Sequence, residues 1–266
     1  MLLYYAAGGG LGHVTRTRAF LHGAGLDGEI LTSANVPEHV RHDLAAYRDW
    51  LRGLGAERII LDTFPAGLFH EFDDFELPCT FDYVARYVVW PRYAPMVKPP
   101  RFETTYVIEP LHEEQERFVF ASSGRVERNV RLVHPPAGES AGRYTGHVLI
   151  VHSGDVDEVD ELIDYAKLIA KAEGEELPIV VATQTAIQRD DVIVVNDYPA
   201  THLAENARRI VTGAGFNCMR QFGGDPRHRA IPFPRRYDDQ FLRAARYRSS
   251  DKSMLSNCEP SSLSAR

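Results

Sequence analysis

The segment LLYYAAGGGLGHVTRTRAFLHGAG, residues 2–25, decides the fold class. Residues 2–6 are short, apolar and unbroken, the pattern of a strand buried on both faces of a parallel sheet. Glycines follow at 8, 9, 10 and 12, and the run after them reads as a helix ending at Gly23 or Gly25. A buried strand, a glycine turn and a helix make the opening unit of an α/β fold.

Outward from this unit the same alternation continues. Residues 29–33 read as a second strand. From Pro37, a good first helical residue, Val40, Leu44, Tyr47, Leu51 and Leu54 step by four and three, which predicts one helix with a single buried face, stopped by Gly53 and Gly55. RIILD, 58–62, reads as a third buried strand. Prolines at 65, 78, 91, 95, 99 and 100 cut the following stretch into short pieces, with strands expected near 79–84 and 104–109. HPPAGESAGRYTG, 134–146, has a Pro-Pro pair and no apolar period, which sets a linker at 136–146. Beyond it, HVLIVHSG runs a strand into a glycine, and Val159, Leu162, Ile163, Ala166, Ile169 and Ala170 form the stripe of an amphipathic helix. Strands are expected at 178–183, 192–197, 209–214 and 229–233, with helices near 200–206, through Phe222, and at 238–248. The spacing implies parallel sheets with helices on both faces, in two tandem domains: 1–135 and 147–248. The Ser-rich residues 249–266 are expected to be a disordered tail.

Thirty Lys and Arg against 37 Asp and Glu leave a net charge of −7, which argues against a nucleic-acid binder. Hydrophobic residues at 44% and charged residues at 25% are globular values and exclude a fibrous or wholly disordered chain. The three cysteines, Cys79, Cys218 and Cys258, are scattered and include no CxxC pair, so neither a disulfide framework nor a structural zinc site is expected. MLLYYAAGGG lacks the basic start of a signal peptide, and no apolar run is long enough to span a membrane. The expectation is a cytoplasmic protein.

Four motifs could carry chemistry. GGGLGHVTR, 8–16, stands at a strand-to-helix junction, where free amides and the helix dipole favour an anion. Its spacing is not that of a dinucleotide fingerprint. His13 beside Arg16 could take a proton near neutral pH, or could merely cap the helix or face solvent. TGAGFNCMRQF, 212–222, repeats strand, glycine turn and helix: its amides could hold a diphosphate and Asn217 and Gln221 a ribose or base, or it could be a close-packed turn. In IPFPRRYDDQFLRAARYR, 231–248, Asp238, Asp239 and Gln240 could bond sugar hydroxyls or cap a helix. In SGDVDEVDE, 153–161, Ser153 and Gly154 sit where a strand end meets a ligand, and the acidic run reads as the solvated first turn of a helix. HEFDDFE, 70–76, reads as an exposed acidic loop rather than a metal site.

Taken in this order, the motifs resemble GT-B glycosyltransferases, and most of all the predicted glycosyltransferase group that includes the lipid II-forming N-acetylglucosaminyltransferase of peptidoglycan synthesis. GGGLGHVTR is similar to that group's N-terminal glycine loop, with the family's His at His13 and its basic residue at Arg16. LDTFPAG, 61–67, resembles a D-x-F-P-x-G segment that puts Asp62 at a strand end. GAGFNCMRQ is similar to the family's G-G-Y-N-[ST]-x-x-E, with Gln221 where Glu is usual, and RRYDDQFLRAARY resembles P-x-x-x-x-E-Q-x-x-R-A through Asp239 and Gln240. The resemblance implies two Rossmann-like domains with a cleft between them. It implies a donor nucleotide-diphospho-sugar, a UDP-sugar, held at Gly10, Gly12, Arg16, Ser153, Gly154, Gly213, Gly215, Asn217, Gln221, Asp239 and Gln240. His13 would be the general base, oriented by Asp62, acting on an unknown acceptor without a metal or other cofactor. A nucleotide-sugar hydrolase of the same fold and a non-catalytic sugar-nucleotide binder are the alternatives. Neither nucleic acid nor a membrane span is expected, and peripheral membrane contact stays open because related enzymes use lipid-linked acceptors.

Overall fold

The structure is a computed structural model, and it describes residues 1–6, 11–94, 98–128, 130–135, 143–196 and 199–249. Gly8, Gly9 and Gly10, most of the linker and residues 250–266 of the tail lie outside the described residues. The chain divides into two compact units, Met1–Ala141 with Arg235–Asp239, and Gly142–Pro234 with Gln240–Arg266.

The first unit holds a six-stranded parallel sheet: β1 (Leu2–Tyr5), β2 (Glu29–Leu31), β3 (Arg58–Asp62), β4 (Thr80–Ala85), β5 (Phe102–Val107) and β6 (Ser123–Arg128), in the order β2-β1-β3-β4-β5-β6. Its helices are α1 (Leu11–Ala24), α2 (Leu44–Gly53), the single turn α3 (Trp90–Tyr93) and α4 (Glu113–Ser122). Alternate strand residues serve opposite faces. Leu3, Tyr5, Ile59, Leu61, Phe81 and Tyr83 pack with Leu51 of α2 and Val119 of α4. On the other face Tyr4 meets Phe20 of α1 at 5.7 Å, and Phe20 meets Tyr106 of β5 at 5.0 Å.

The helix expected from Pro37 is broken. Glu38–Val40 is one 3-10 turn, and the Asp43 carboxylate accepts from the amides of Ala45 at 2.9 Å and Ala46 at 3.2 Å, starting α2 afresh at Leu44. The new start turns Leu44 out of the buried face, leaving it 47% exposed. Neither α4 nor β6 was expected from the apolar pattern. The reason is visible in β6, SGRVER, a partly exposed edge strand that needs no apolar run.

The second unit holds β7 (His147–Val151), β8 (Ile179–Ala182), β9 (Ile193–Val195), β10 (Ala207–Gly213) and β11 (His228–Ile231), all parallel, in the order β11-β10-β7-β8-β9. The long helix α5 (Val156–Ala172) lays Val159, Leu162, Ile163 and Ala166 on Val148, Ile150, Val181 and Val211. The opposite face, with Leu149, Val180 and Ile210, packs against Leu203 from the 3-10 turn Ala200–Ala204 and Phe222 of α6 (Phe216–Phe222). The last helix is α7 (Gln240–Ser249). Each fully buried Leu or Ile contributes about 1.5–3 kcal/mol, so this two-sided burial, rather than helix propensity, holds the layers together.

Each sheet has one place where the chain reverses its direction of strand addition: between β1 and β3 in the first unit, and between β7 and β10 in the second. The crevice beyond the carboxyl ends of such a strand pair is where open parallel sheets bind ligands.

Candidate functional site

In the first unit the reversal brings together His13, in the first turn of α1, and Asp62, the last residue of β3. His13 Nδ1 lies 2.6 Å from Asp62 Oδ2. Arg16, one turn further along α1, grips the same carboxylate twice: Nε reaches Oδ1 at 2.8 Å and Nη2 bonds Oδ2. The Tyr4 hydroxyl donates to Oδ1 at 3.2 Å. Asp62 and Arg16 are almost wholly buried, and the His13 side chain keeps 16% of its surface exposed.

Burial alone would raise the Asp62 carboxyl, but the Arg16 charge and the hydrogen bonds from His13 and Arg16 outweigh it and hold Asp62 well below the usual range. Asp62 is therefore an anion and only accepts hydrogen bonds. At 2.6 Å from that anion, Nδ1 of His13 must carry the proton, although Arg16 Nη2 also stands 3.1 Å from it. Nε2 is then the lone-pair nitrogen. Burial is the largest influence on His13 and lowers it below its ordinary value, with the Arg16 and Arg86 charges acting the same way against Asp62. The imidazole is thus neutral at pH 7 and can accept a proton.

Thr63 follows Asp62 with φ at 68°, a left-handed conformation that is costly for a β-branched residue. Its hydroxyl accepts from Arg16 Nη2 at 2.9 Å and from Arg86 Nε at 3.2 Å, and lies 3.3 Å from Asp62 Oδ2. Arg86 stands just beyond β4, the strand next to β3, and its Nη1 bonds Asp238 Oδ1 at 2.9 Å. Asp238, read from the sequence as a candidate sugar contact, is thus engaged by Arg86 within the first unit. Thr63 and Arg86 escaped the sequence reading. Their signal was available, since both stand at the carboxyl ends of central parallel strands.

The stretch 70–76 is not the exposed acidic loop expected. Glu71 is 2% exposed, and Phe72 and Phe75 are core. Its carboxylate takes the Tyr5 hydroxyl on Oε1 and the Phe69 amide, at 2.7 Å, on Oε2. Gly67, at φ 82°, is where a Cβ would fall 2.2 Å from the Glu71 Cδ, so only glycine fits over the carboxylate.

In the second unit Gly154 follows β7, Gly213 ends β10, and Gly215 caps α6, so all three sit at the β7/β10 reversal. Ser153 is exposed beside Gly154. The imidazole of His152, absent from the sequence expectations, fills the space between two of these glycines. A Cβ on Gly154 would meet its Nε2 at 2.4 Å, and one on Gly213 its Cε1 at 2.8 Å. His152 Nε2 pairs with Glu158 at 2.7 Å, so Glu158 departs from the solvated acidic run it was assigned to. Asn217 and Gln221 are half-buried on α6. Gln240, at the start of α7, is 5% exposed, and its carbonyl accepts the Phe233 amide at 3.1 Å. Asp239 is half-buried in the first unit, and Gly12 half-buried in the first turn of α1. Gly10 lies outside the described residues. Among the described residues, no three His, Cys, Asp or Glu side chains gather where a metal ion could be held, and no helix is long and apolar enough to cross a membrane.

No known protein family matches the chain by sequence, and neither does any curated protein. Solved structures do. A glycosyltransferase of kitacinnamycin matches with a TM-score of 0.54 at 12% identity, over 92% of this chain and 82% of its own. SsfS6, a glycosyltransferase of Streptomyces sp. SF2575, matches with 0.51 at 11% identity over 92% and 84%. The glycosyltransferase SnogD from Streptomyces nogalater matches with 0.51 at 12% identity over 91% and 83%. At these identities the likeness is one of fold: the chain has the two-sheet α/β fold of GT-B glycosyltransferases.

Proposed function

We propose that this protein is a glycosyltransferase that moves a sugar from a nucleotide-diphospho-sugar to an acceptor hydroxyl, with His13 as general base. The observation that carries the reading is the 2.6 Å contact from His13 Nδ1 to the buried Asp62 carboxylate, which leaves Nε2 as the basic nitrogen. Nε2 takes the proton of the acceptor hydroxyl, its oxygen bonds the anomeric carbon, and the bond from that carbon to the diphosphate breaks. Asp62 stabilises the imidazolium as it forms, and Arg16 holds Asp62 in place. Arg16 is itself so fully engaged with Asp62 that its part is to orient the base rather than to bind the donor.

The donor side of the reading rests on Gly154, Gly213 and Gly215 at the reversal of the second sheet, with Asn217 and Gln221 as further contacts. A UDP-sugar is the donor we favour, on the resemblance of GAGFNCMRQ. The reaction asks for no metal, because backbone amides and arginines can stabilise a departing diphosphate. The scattered cysteines support a cytoplasmic setting.

The test is nucleotide release from a panel of nucleotide-diphospho-sugars, UDP-sugars among them, with and without a panel of hydroxyl acceptors. Release that depends on an acceptor and is lost in His13→Ala supports the reading. Release without any acceptor makes the protein a hydrolase, and full activity in His13→Ala overturns His13 as the base.

A further inference from the structure

The five residues Arg235–Asp239 belong by contact to the first unit, although they follow β11 of the second. They form a strap on the carboxyl-end side of β4. The Val89 amide bonds the Tyr237 carbonyl at 2.9 Å, and Arg92 Nη1 bonds the Arg236 carbonyl at 3.2 Å. The Tyr237 ring meets Phe64 at 5.6 Å and Tyr93 at 6.0 Å, both edge-on. The strap thereby delivers Asp238 to Arg86 in an ion pair whose side chains are only 14% and 11% exposed.

From that pair a continuous set of hydrogen bonds runs to the base: Asp238 to Arg86, Arg86 to Thr63, Thr63 to Arg16, and Arg16 to the Asp62 carboxylate that holds His13. We propose that Asp238 is a positioning residue for His13, fixing Arg86 so that Thr63 and Arg16 keep Asp62 against Nδ1. The consequence for catalysis rests on the reading of His13 as base, but the coupling itself does not. Without Asp238, the Arg86 guanidinium would be left with no carboxylate in a mostly buried place, which is costly. It would then turn toward Thr63 and loosen the orientation of Asp62.

The charged groups facing His13 are Asp62 from β3, Arg16 from its own helix and Arg86 from beyond β4, and Asp238 from the strap offsets Arg86. Removing either Asp238 or Arg86 breaks the same chain and should loosen Asp62 from Nδ1, although their opposite charges alone would move the His13 titration in opposite directions. The experiment is an NMR titration of the histidine Cε1–H signals together with the imidazole 15N shifts at pH 7 in the full chain, with His13 assigned by His13→Gln. Asp238→Asn should lower the His13 midpoint by on the order of 0.5 pH unit, and Arg86→Gln should lose Nδ1–H tautomer as Asp238→Asn does. An unchanged midpoint in Asp238→Asn, or an undiminished Nδ1–H tautomer in Arg86→Gln, would overturn the proposal. Should Asp238→Asn fail to fold, the tautomer population of Arg86→Gln decides it. Should the chain unfold before His13 titrates, the imidazole 15N shifts at pH 7 decide it instead. The Nδ1–H tautomer should dominate in the wild type and decline in Asp238→Asn, and an undiminished population overturns the coupling.

Activity separates this proposal from the function itself. If Asp238 positions the base, Asp238→Asn lowers kcat and leaves the donor KM near its wild-type value. A raised donor KM with an unmoved His13 titration would make Asp238 a sugar contact and sink the positioning role. Full nucleotide release by His13→Ala would overturn the base assignment and leave the titration result intact.

Discussion

Arg16 and His13 share one carboxylate: Arg16 spans both oxygens of Asp62, and His13 Nδ1 shares the second of them. Removing the anion leaves a buried guanidinium without its counter-charge. Asp62→Asn should therefore destabilise the protein by about 3–5 kcal/mol at pH 7, read from urea denaturation. Because Asp62 titrates below its ordinary value of 3.8, its stabilisation is whole above that pH and is lost as the pH falls toward the folded-state value. The gap between wild type and variant should accordingly narrow below pH 3.8. A gap that stays constant through the acid range would contradict the pairing.

The same geometry sets the pH dependence of the reaction. Burial lowers His13 below 6.5, so its neutral form predominates at pH 7. The rate of nucleotide release should fall on the acid side with a midpoint below pH 6.5, as the imidazole protonates. His13→Gln should lower kcat by about 10²–10⁴-fold and abolish that acid limb. An acid limb centred above neutral pH would point to a different base.

Much of the fold was legible because buried parallel strands are continuous apolar runs: residues 2–5, 58–62, 147–151 and 179–182 announce themselves. What was hidden depends on partners far away in sequence or on polar edges. Asp43 resets a helix whose apolar period runs on through it, and β6 is polar because one side of it has no neighbour. In the site, His13 drew notice as a polar residue beside a glycine turn, and Asp62 only through the resemblance of LDTFPAG. The Arg86–Asp238 pair links residues 152 positions apart, and no local pattern announces it. His152 was passed over for the opposite reason: it stands beside Ser153 and Gly154, whose loop chemistry drew the attention, and only the packing shows its ring filling the space the glycines leave.

Glu71 should take up a proton more readily than an ordinary carboxyl. Burial raises its carboxyl above 4.5, ahead of the hydrogen bonds from Tyr5 and the Phe69 amide that favour the anion. A raised folded-state value stabilises fully below pH 4.5, and the benefit is lost as the pH rises through that value. A glutamine reproduces the protonated form, because its carbonyl can accept the Phe69 amide and its NH2 can donate to the Tyr5 oxygen. Glu71→Gln should thus gain stability relative to the wild type between pH 5 and pH 8, measured by urea denaturation at both values. A variant weaker at pH 8 than at pH 5, relative to wild type, would show that the anion is the stabilising form.

His152 and Gly213 should be energetically coupled. Gly213 does not have a positive φ, so an alanine there meets no backbone strain, and its cost must come from the ring it would strike, at 2.8 Å from Cε1 and 2.9 Å from Nδ1. The ring has little freedom to withdraw, since Glu158 holds Nε2 at 2.7 Å and Phe233 lies 5.2 Å from its centre. Gly213→Ala should therefore cost about 1–3 kcal/mol in the wild-type chain. In a His152→Ala background the added methyl has the vacated imidazole space to enter, and the same substitution should cost less than about 0.5 kcal/mol. A double-mutant cycle by urea denaturation reads the difference directly. Equal costs in the two backgrounds would mean that something other than the imidazole forbids a side chain at 213, and that the glycine is kept for the backbone of the loop itself.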